Sequence, residues 1–178
     1  TISKYNLELA LDKNIGLDDR SKAILDAYEG VLLFSRQLDQ LLLVLEIEDK
    51  DMKIDKKSVD LEIFFDDFLK RNKLLLKTKK LKLETKLDFP KNKVHFDANK
   101  INKVLDIIFL NSVNYSNLKG KIIISSWIKK FNKKNNLIFA FSDFGIGIKE
   151  DDKPNIFKKF YRGSDAGIMS PSGFGLGL

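Results

Sequence analysis

Between Asp19 and Glu48 apolar residues recur at spacings of three and four without a break: Ile24, Ala27, Val31, Phe34, Leu38, Leu41 and Leu45. That period predicts one long amphipathic helix with a heptad-like seam. Tyr28, Leu42 and Val44 flank the seam and widen it, as suits a helix packed on more than one neighbour. Gly30 lies beside it, at a propensity cost of about 1 kcal/mol relative to Ala. The opening segment carries a shorter stripe of Ile2, Tyr5 and Leu9, and "DKNIGLDD" with Gly16 reads as the turn of a helical hairpin. A hairpin alone leaves its seam wet, and each large seam residue forgoes about 1.5–3 kcal/mol in water. Two hairpins joined into a four-helix bundle are therefore expected, with packing on the rest of the same chain as the alternative.

After the charged linker Glu48 to Ser58 the period changes. Asp60 is placed to cap a helix bearing Leu61, Phe64, Phe65 and Phe68. Alternation from Lys80 to Phe89 predicts a half-buried strand, followed by a turn at Pro90 and a short strand at Val94 to Phe96. Asp97 then opens a second helix with Ile101, Val104, Leu105 and Ile108 on one face. "KIIISSWIKKF" and "NLIFAFSD" read as strands around an "NKKN" hairpin loop. The fold class is α+β: a helical hairpin, then a mixed sheet with helices layered on one side. The division falls at 1–53 and 54–178.

Composition narrows the chemistry. The net charge of +7 raises nucleic-acid binding, but Lys80, Lys82 and Lys86 alternate with Leu81, Leu83 and Leu87, which makes them the solvated face of a strand. No nucleic-acid partner is expected. Cysteine is absent and His95 is the single histidine, which excludes disulfides, thiolate or histidine-rich metal sites, and any Ser-His-Asp triad without His95. The densest apolar run, "LLLVLEIE", is far too short to span a bilayer. A cytoplasmic piece of a longer protein is expected, meeting a membrane only through segments upstream.

Asp143-Phe144-Gly145 invites comparison with the magnesium-binding DFG of eukaryotic-type protein kinases, and "HFDANKIN" with their catalytic loop. The surroundings reject it. Only Gly16 and Gly30 precede the supposed loop, both in the helical region, so no glycine-rich phosphate cover exists. A helix and two strands separate Asn102 from Asp143, and no A-P-E follows.

Most glycines instead fall after Phe144, in Asp143-Phe-Gly-Ile-Gly-Ile148 and Gly173-Phe-Gly-Leu-Gly-Leu178, with "PNIFKKFYRGSD" between them. In these motifs the chain resembles the bacterial sensor histidine kinases, within the wider superfamily of gyrase, MutL-type and chaperone ATPases. Their G1 box reads D-x-G-x-G-I, their F box F-x-x-F-Y-R and their G2 box G-x-G-L-G-L. Their N box is a helical asparagine ahead of G1, matched by Asn111 in "VLDIIFLNSVNYS". The hairpin matches their dimerisation region, so the resemblance covers nearly the whole chain.

The resemblance implies ATP and Mg²⁺ as cofactors, a homodimer formed through the hairpin, and a response-regulator receiver domain as partner. It implies that Asp143 faces the adenine amine, that Gly145, Gly147 and Ile148 close on the ring, and that Asn111 offers an amide oxygen to Mg²⁺. Asn114 and Tyr115 would contact phosphate and adenine. Gly173, Gly175 and Gly177 would turn N–H groups to the phosphates. Arg162 and the loop from Gly163 to Ser172 would form a mobile lid and Phe160 would contact the cofactor, with Phe157, Phe160 and Tyr161 read equally well as packing.

The family phosphorylates a histidine in an H-E-x-R-x-P-L stretch that is not present here and is expected just before Thr1, so the fragment should not autophosphorylate. A further helix and strands are expected after Leu178. Ile107 replaces a usually polar residue and Asn114 a common lysine, which leaves an inert dimeric adaptor open. An ATPase that only hydrolyses conflicts with the hairpin and the F box.

Overall fold

A computed structural model of the chain describes residues 2–12, 14–48, 53–169 and 175. Two compact units emerge, Thr1–Met52 and Lys53–Leu178.

The first unit is a helical hairpin, α1 (Ile2–Leu11) against α2 (Leu17–Glu48). Asp12 organises the turn: its carboxylate accepts from the Asn14 amide at 2.9 Å, and its carbonyl from the Arg20 guanidinium at 2.7 and 3.1 Å. Ala23 and Ala27, one turn apart, are buried, and their small side chains suit close helix approach. Ala27 therefore leaves the predicted seam. Ile24, Val31, Phe34, Leu38 and Leu45, with Tyr28 and Leu42 beside them, stay exposed along α2. This is the unburied stripe that periodicity anticipates.

The second unit runs β1 (Lys57–Val59), α3 (Leu61–Thr78), β2 (Lys82–Leu87), β3 (Val94–Phe96), α4 (Ala98–Tyr115), β4 (Lys121–Phe131), β5 (Lys134–Asp143) and α5 (Ala166–Met169). β2 lies parallel to β4 and β4 antiparallel to β5, a mixed three-stranded sheet; β1 and β3 form a separate antiparallel pair. β1 corrects the linker reading, since residues 57–59 pair with 94–96 although their composition is that of a polar connector. The hairpin loop is also tighter than "NKKN": Asn132 and Lys133 alone turn, both at positive φ, and Lys134 already belongs to β5.

Both predicted caps form. The Asp60 carboxylate accepts from the amides of Glu62 and Ile63 at 3.1 and 3.3 Å. Asp97 caps α4 through Lys100 N at 3.1 Å and also accepts Asp55 N at 3.0 Å, pinning the connector. Those backbone donors hold its carboxyl below the usual carboxylate range. Between α3, α4 and the sheet lies an aromatic core: Phe65 stacks on Phe139 with centroids 5.7 Å apart, and Phe68 meets Phe109 edge-on at 5.6 Å. Ile122 and Ile124 of β4 fill the same core. Buried Asn72 of α3 donates to Asp106 of α4 at 2.7 Å, which fixes the rotation of α4 about its axis.

Candidate functional site

That rotation decides what α4 offers outward. Leu105, Phe109, Ser112 and Val113 face the core, so the 3.6-residue period turns Ile107, Asn111 and Asn114 to the opposite side, with Tyr115 on the flank between the two. All four are nonetheless half-buried, and α5 contacts α4. Among the described residues no hydrogen bond engages the side chains of Asn111, Asn114 or Tyr115. Their polar atoms stay open to solvent, since no buried side-chain nitrogen or oxygen among the described residues lacks a partner.

The end of α4 is joined to the end of β5. Asp143 closes β5 opposite Ile122, and its exposed carboxylate accepts the Gly145 amide at 3.2 Å. The chain then presses onto the helix terminus: Ile146 N donates to Tyr115 O at 3.2 Å, and Asn117 Nδ2 to Phe144 O at 3.3 Å. Gly145 is obligatory in this contact, since a Cβ there would sit 1.9 Å from the Tyr115 carbonyl oxygen. At Gly147 φ is +71° and a Cβ would meet open space, so conformation alone favours glycine there. The Asp143 loop and the C-terminal end of α4 therefore share one corner, with Asn111 one turn before Tyr115 along the helix.

Residues 149–169 form a chain of turns ending in α5, organised by Asp152. Its carboxylate accepts Tyr161 OH at 2.6 Å, and the amide and hydroxyl of Ser164 at 3.2 and 3.4 Å. The tyrosine bond, more than any other contact, draws the Asp152 carboxyl below its ordinary range, and the same bond raises the Tyr161 hydroxyl above its own. Lys149 pairs with Asp165 at 2.9 Å, and Arg162 donates to Ala166 O at 3.1 Å, tying the segment to α5. Phe160, at φ +63° and 69% exposed, and Phe157 point away from the core, and Ile148 is exposed. Gly175 lies against this segment: a Cβ would come 2.5 Å from Tyr161 O. Gly173, Gly177 and Ser172 lie outside the described residues.

Two residues that sequence reasoning missed matter here. Asp152 was one acid in a charged run, and its spacing from Tyr161 carries no helical or strand signal. Lys79 was one lysine among several. Its ammonium reaches the Asn114 and Ser116 carbonyls, the latter at 3.1 Å, and burial lowers its pKa.

No group of three or more His, Cys, Asp or Glu side chains that could hold a metal occurs among the described residues. One free amide oxygen, at Asn111, suits a hard cation carried mostly by phosphate oxygens and water rather than by a protein cage. The exposed Asp143 carboxylate, the unobstructed backbone at Gly147 and the amides of Asn111 and Asn114 leave hydrogen-bonding groups accessible on β5, the loop after it and α4.

Residues 96–178 match the family described as histidine kinase-, DNA gyrase B- and HSP90-like ATPase. The sensor protein CiaH of Streptococcus pneumoniae is 39% identical over 80 residues, 44% of this chain and 17% of CiaH. The Acinetobacter baumannii histidine kinase AdeS superposes with a TM-score of 0.61 at 26% identity, over 98% of this chain and 78% of that one. Histidine kinase ThkA, solved in complex with response regulator protein TrrA, shares the fold: TM-score 0.60 at 19% identity, over 96% of this chain and 49% of ThkA. The chain thus spans about a sixth of the length of CiaH.

Proposed function

We propose that the chain is a stretch of a sensor histidine kinase, its residues 96–178 matching the histidine kinase-, DNA gyrase B- and HSP90-like ATPase family, and that the second unit binds Mg-ATP at the corner between α4 and β5. One observation supports the reading: Gly145 closes on the Tyr115 carbonyl, which joins the loop after Asp143 to the C-terminal end of α4, one turn beyond Asn111.

The Asp143 carboxylate accepts from the exocyclic amine of adenine, while the side-chain-free backbone at Gly145 and Gly147 admits the ring and Ile148 borders it. The Tyr115 ring packs on the purine, and Asn111 gives its amide oxygen to Mg²⁺. Asn114 and Gly175 would meet the phosphates, with Phe160 and Arg162 in the covering segment; Gly173 and Gly177, assigned the same role by resemblance, lie outside the described residues. Mg-ATP supplies a transferable γ-phosphoryl group whose charge the metal offsets. The residues here bind, orient and shield it.

In the longer protein the acceptor is a histidine on the dimeric helical bundle, and the phosphoryl group passes on to a response-regulator aspartate. His95 does not serve, since it lies on β3 paired with Ser58 inside the nucleotide-binding unit. This stretch by itself is expected to bind nucleotide without phosphorylating itself. The exposed stripe of α2 supplies the dimer contact.

A second reading, an inert dimeric adaptor, is favoured by apolar Ile107 and uncharged Asn114 on the free face of α4. Calorimetric titration with Mg-ATP and Mg-ADP separates the two: saturable binding that Asp143→Asn removes supports the kinase reading. No saturable binding by the folded wild type supports the adaptor.

A further inference from the structure

We propose that Lys79 is a positioning residue of the nucleotide site, holding the C-terminal end of α4 in the geometry onto which the Asp143–Gly147 loop closes. The inference deepens the function proposed above and rests on it.

A helix ends with carbonyls that have no intrahelical donor and with the negative end of its dipole. α4 has no basic residue of its own in its last turn. Lys79 answers both needs from another element, its ammonium donating to Asn114 O and Ser116 O. Between these two carbonyls lies that of Tyr115, which accepts Ile146 N from the loop at 3.2 Å. Three consecutive carbonyls are thus shared alternately, lysine, loop, lysine. The carbonyl that receives the nucleotide loop cannot tilt without breaking the two charge-assisted bonds on either side of it.

The anchor is itself held. Lys80 N donates to Lys77 O and Leu81 N to Leu76 O, closing α3, while Lys119 N donates to Lys79 O at 2.9 Å, so residue 79 is tied at once to α3 and to the chain leaving α4. Lys80 takes φ +54°, which turns the backbone out of α3 and into β2 beside it. The lysine is well placed to set the position of the Tyr115 carbonyl, and through Ile146 that of Asp143 and Gly145.

The test uses the chain as it stands and a probe that needs no nucleotide. Lys79→Met is expected to raise hydrogen exchange at the Ile146 amide by about tenfold, leaving the β4–β5 amides unchanged, and to weaken Mg-ADP binding by about tenfold. The chain contains no cysteine, so Lys79→Cys can be aminoethylated at one site to rebuild a lysine-like ammonium. Slow exchange and affinity should both return. A lysine that is only a stabilising cap predicts a lower melting temperature with Ile146 exchange and affinity unaltered in the folded protein, and that result overturns the proposal, as does aminoethylation without rescue. Should Lys79→Met not fold, Lys79→Arg keeps the charge but displaces its donors, and unchanged Ile146 exchange in that variant is equally fatal. If the wild type binds no nucleotide, the functional reading fails, while the exchange measurement still decides the role of Lys79.

Discussion

The sharpest prediction concerns two glycines two residues apart. In Gly145→Ala the new Cβ would lie 1.9 Å from Tyr115 O, 2.6 Å from its carbonyl carbon and 3.1 Å from Ser116 Cα. All three are backbone atoms at the end of a packed helix, so the loop must move. Retreat breaks the Ile146–Tyr115 bond and the Asn117–Phe144 bond. Two lost hydrogen bonds at about 1 kcal/mol each, with residual strain of similar size, give a destabilisation of about 3 kcal/mol. For a unit of this size that is a fall of roughly 10 °C in melting temperature. In Gly147→Ala the Cβ meets nothing within 4 Å and only the positive φ is penalised, at about 1–2 kcal/mol; Gly147→Asn, which tolerates that φ, should cost less still. Urea unfolding of the three variants, with Mg-ADP titration alongside, measures the ranking. Gly145→Ala unfolding at the wild-type midpoint with wild-type affinity would refute the claim that backbone contact assembles the site.

Four further outcomes follow from the same structure. Asn111→Ala should leave stability within about 0.5 kcal/mol, because no hydrogen bond from its side chain is lost, yet should weaken nucleotide binding more with Mg²⁺ present than with EDTA. Phe34→Glu should abolish self-association in analytical ultracentrifugation: two copies of a Phe contact at about 2 kcal/mol each amount to roughly a thousandfold in Kd. An equally tight wild-type and variant dimer would move the interface elsewhere. Asp152→Asn should narrow the stability difference from wild type as pH falls. The folded carboxyl is depressed, so its contribution is complete above the unfolded value of about 3.9 and lost as pH drops through the lower folded one. Acid unfolding curves that stay parallel from pH 6 to 2 would contradict it. Phe68→Ala, which empties a fully buried position against Phe65, Phe109 and Phe141, should cost about 3–5 kcal/mol in denaturant titration.

Local chemistry made much of this molecule legible in one dimension. Asp60 and Asp97 cap their helices because an N-cap needs only a carboxylate two or three residues from free amides. The alternation of β2 and the apolar runs of β4 and β5 announce their buried faces because a strand exposes every second residue. Gly145 and Gly175 stood out because a backbone that closes on another backbone, as they do on Tyr115 and Tyr161, tolerates no side chain. What failed was whatever depends on a distant partner. Polar Lys57–Val59 becomes a strand only because β3 lies beside it, and Ala27 belongs to the hairpin interior rather than the seam because α1 packs along α2. Lys79 and Asp152 gain their roles from carbonyls and hydroxyls that folding alone brings within reach. The sequence by itself determined the elements, their caps and the residue types at the corner between α4 and β5; tertiary structure decided which backbone groups close that corner. Periodicity records the direction of a side chain, whereas a hydrogen bond between segments depends on distance, and distance exists only after the chain has folded.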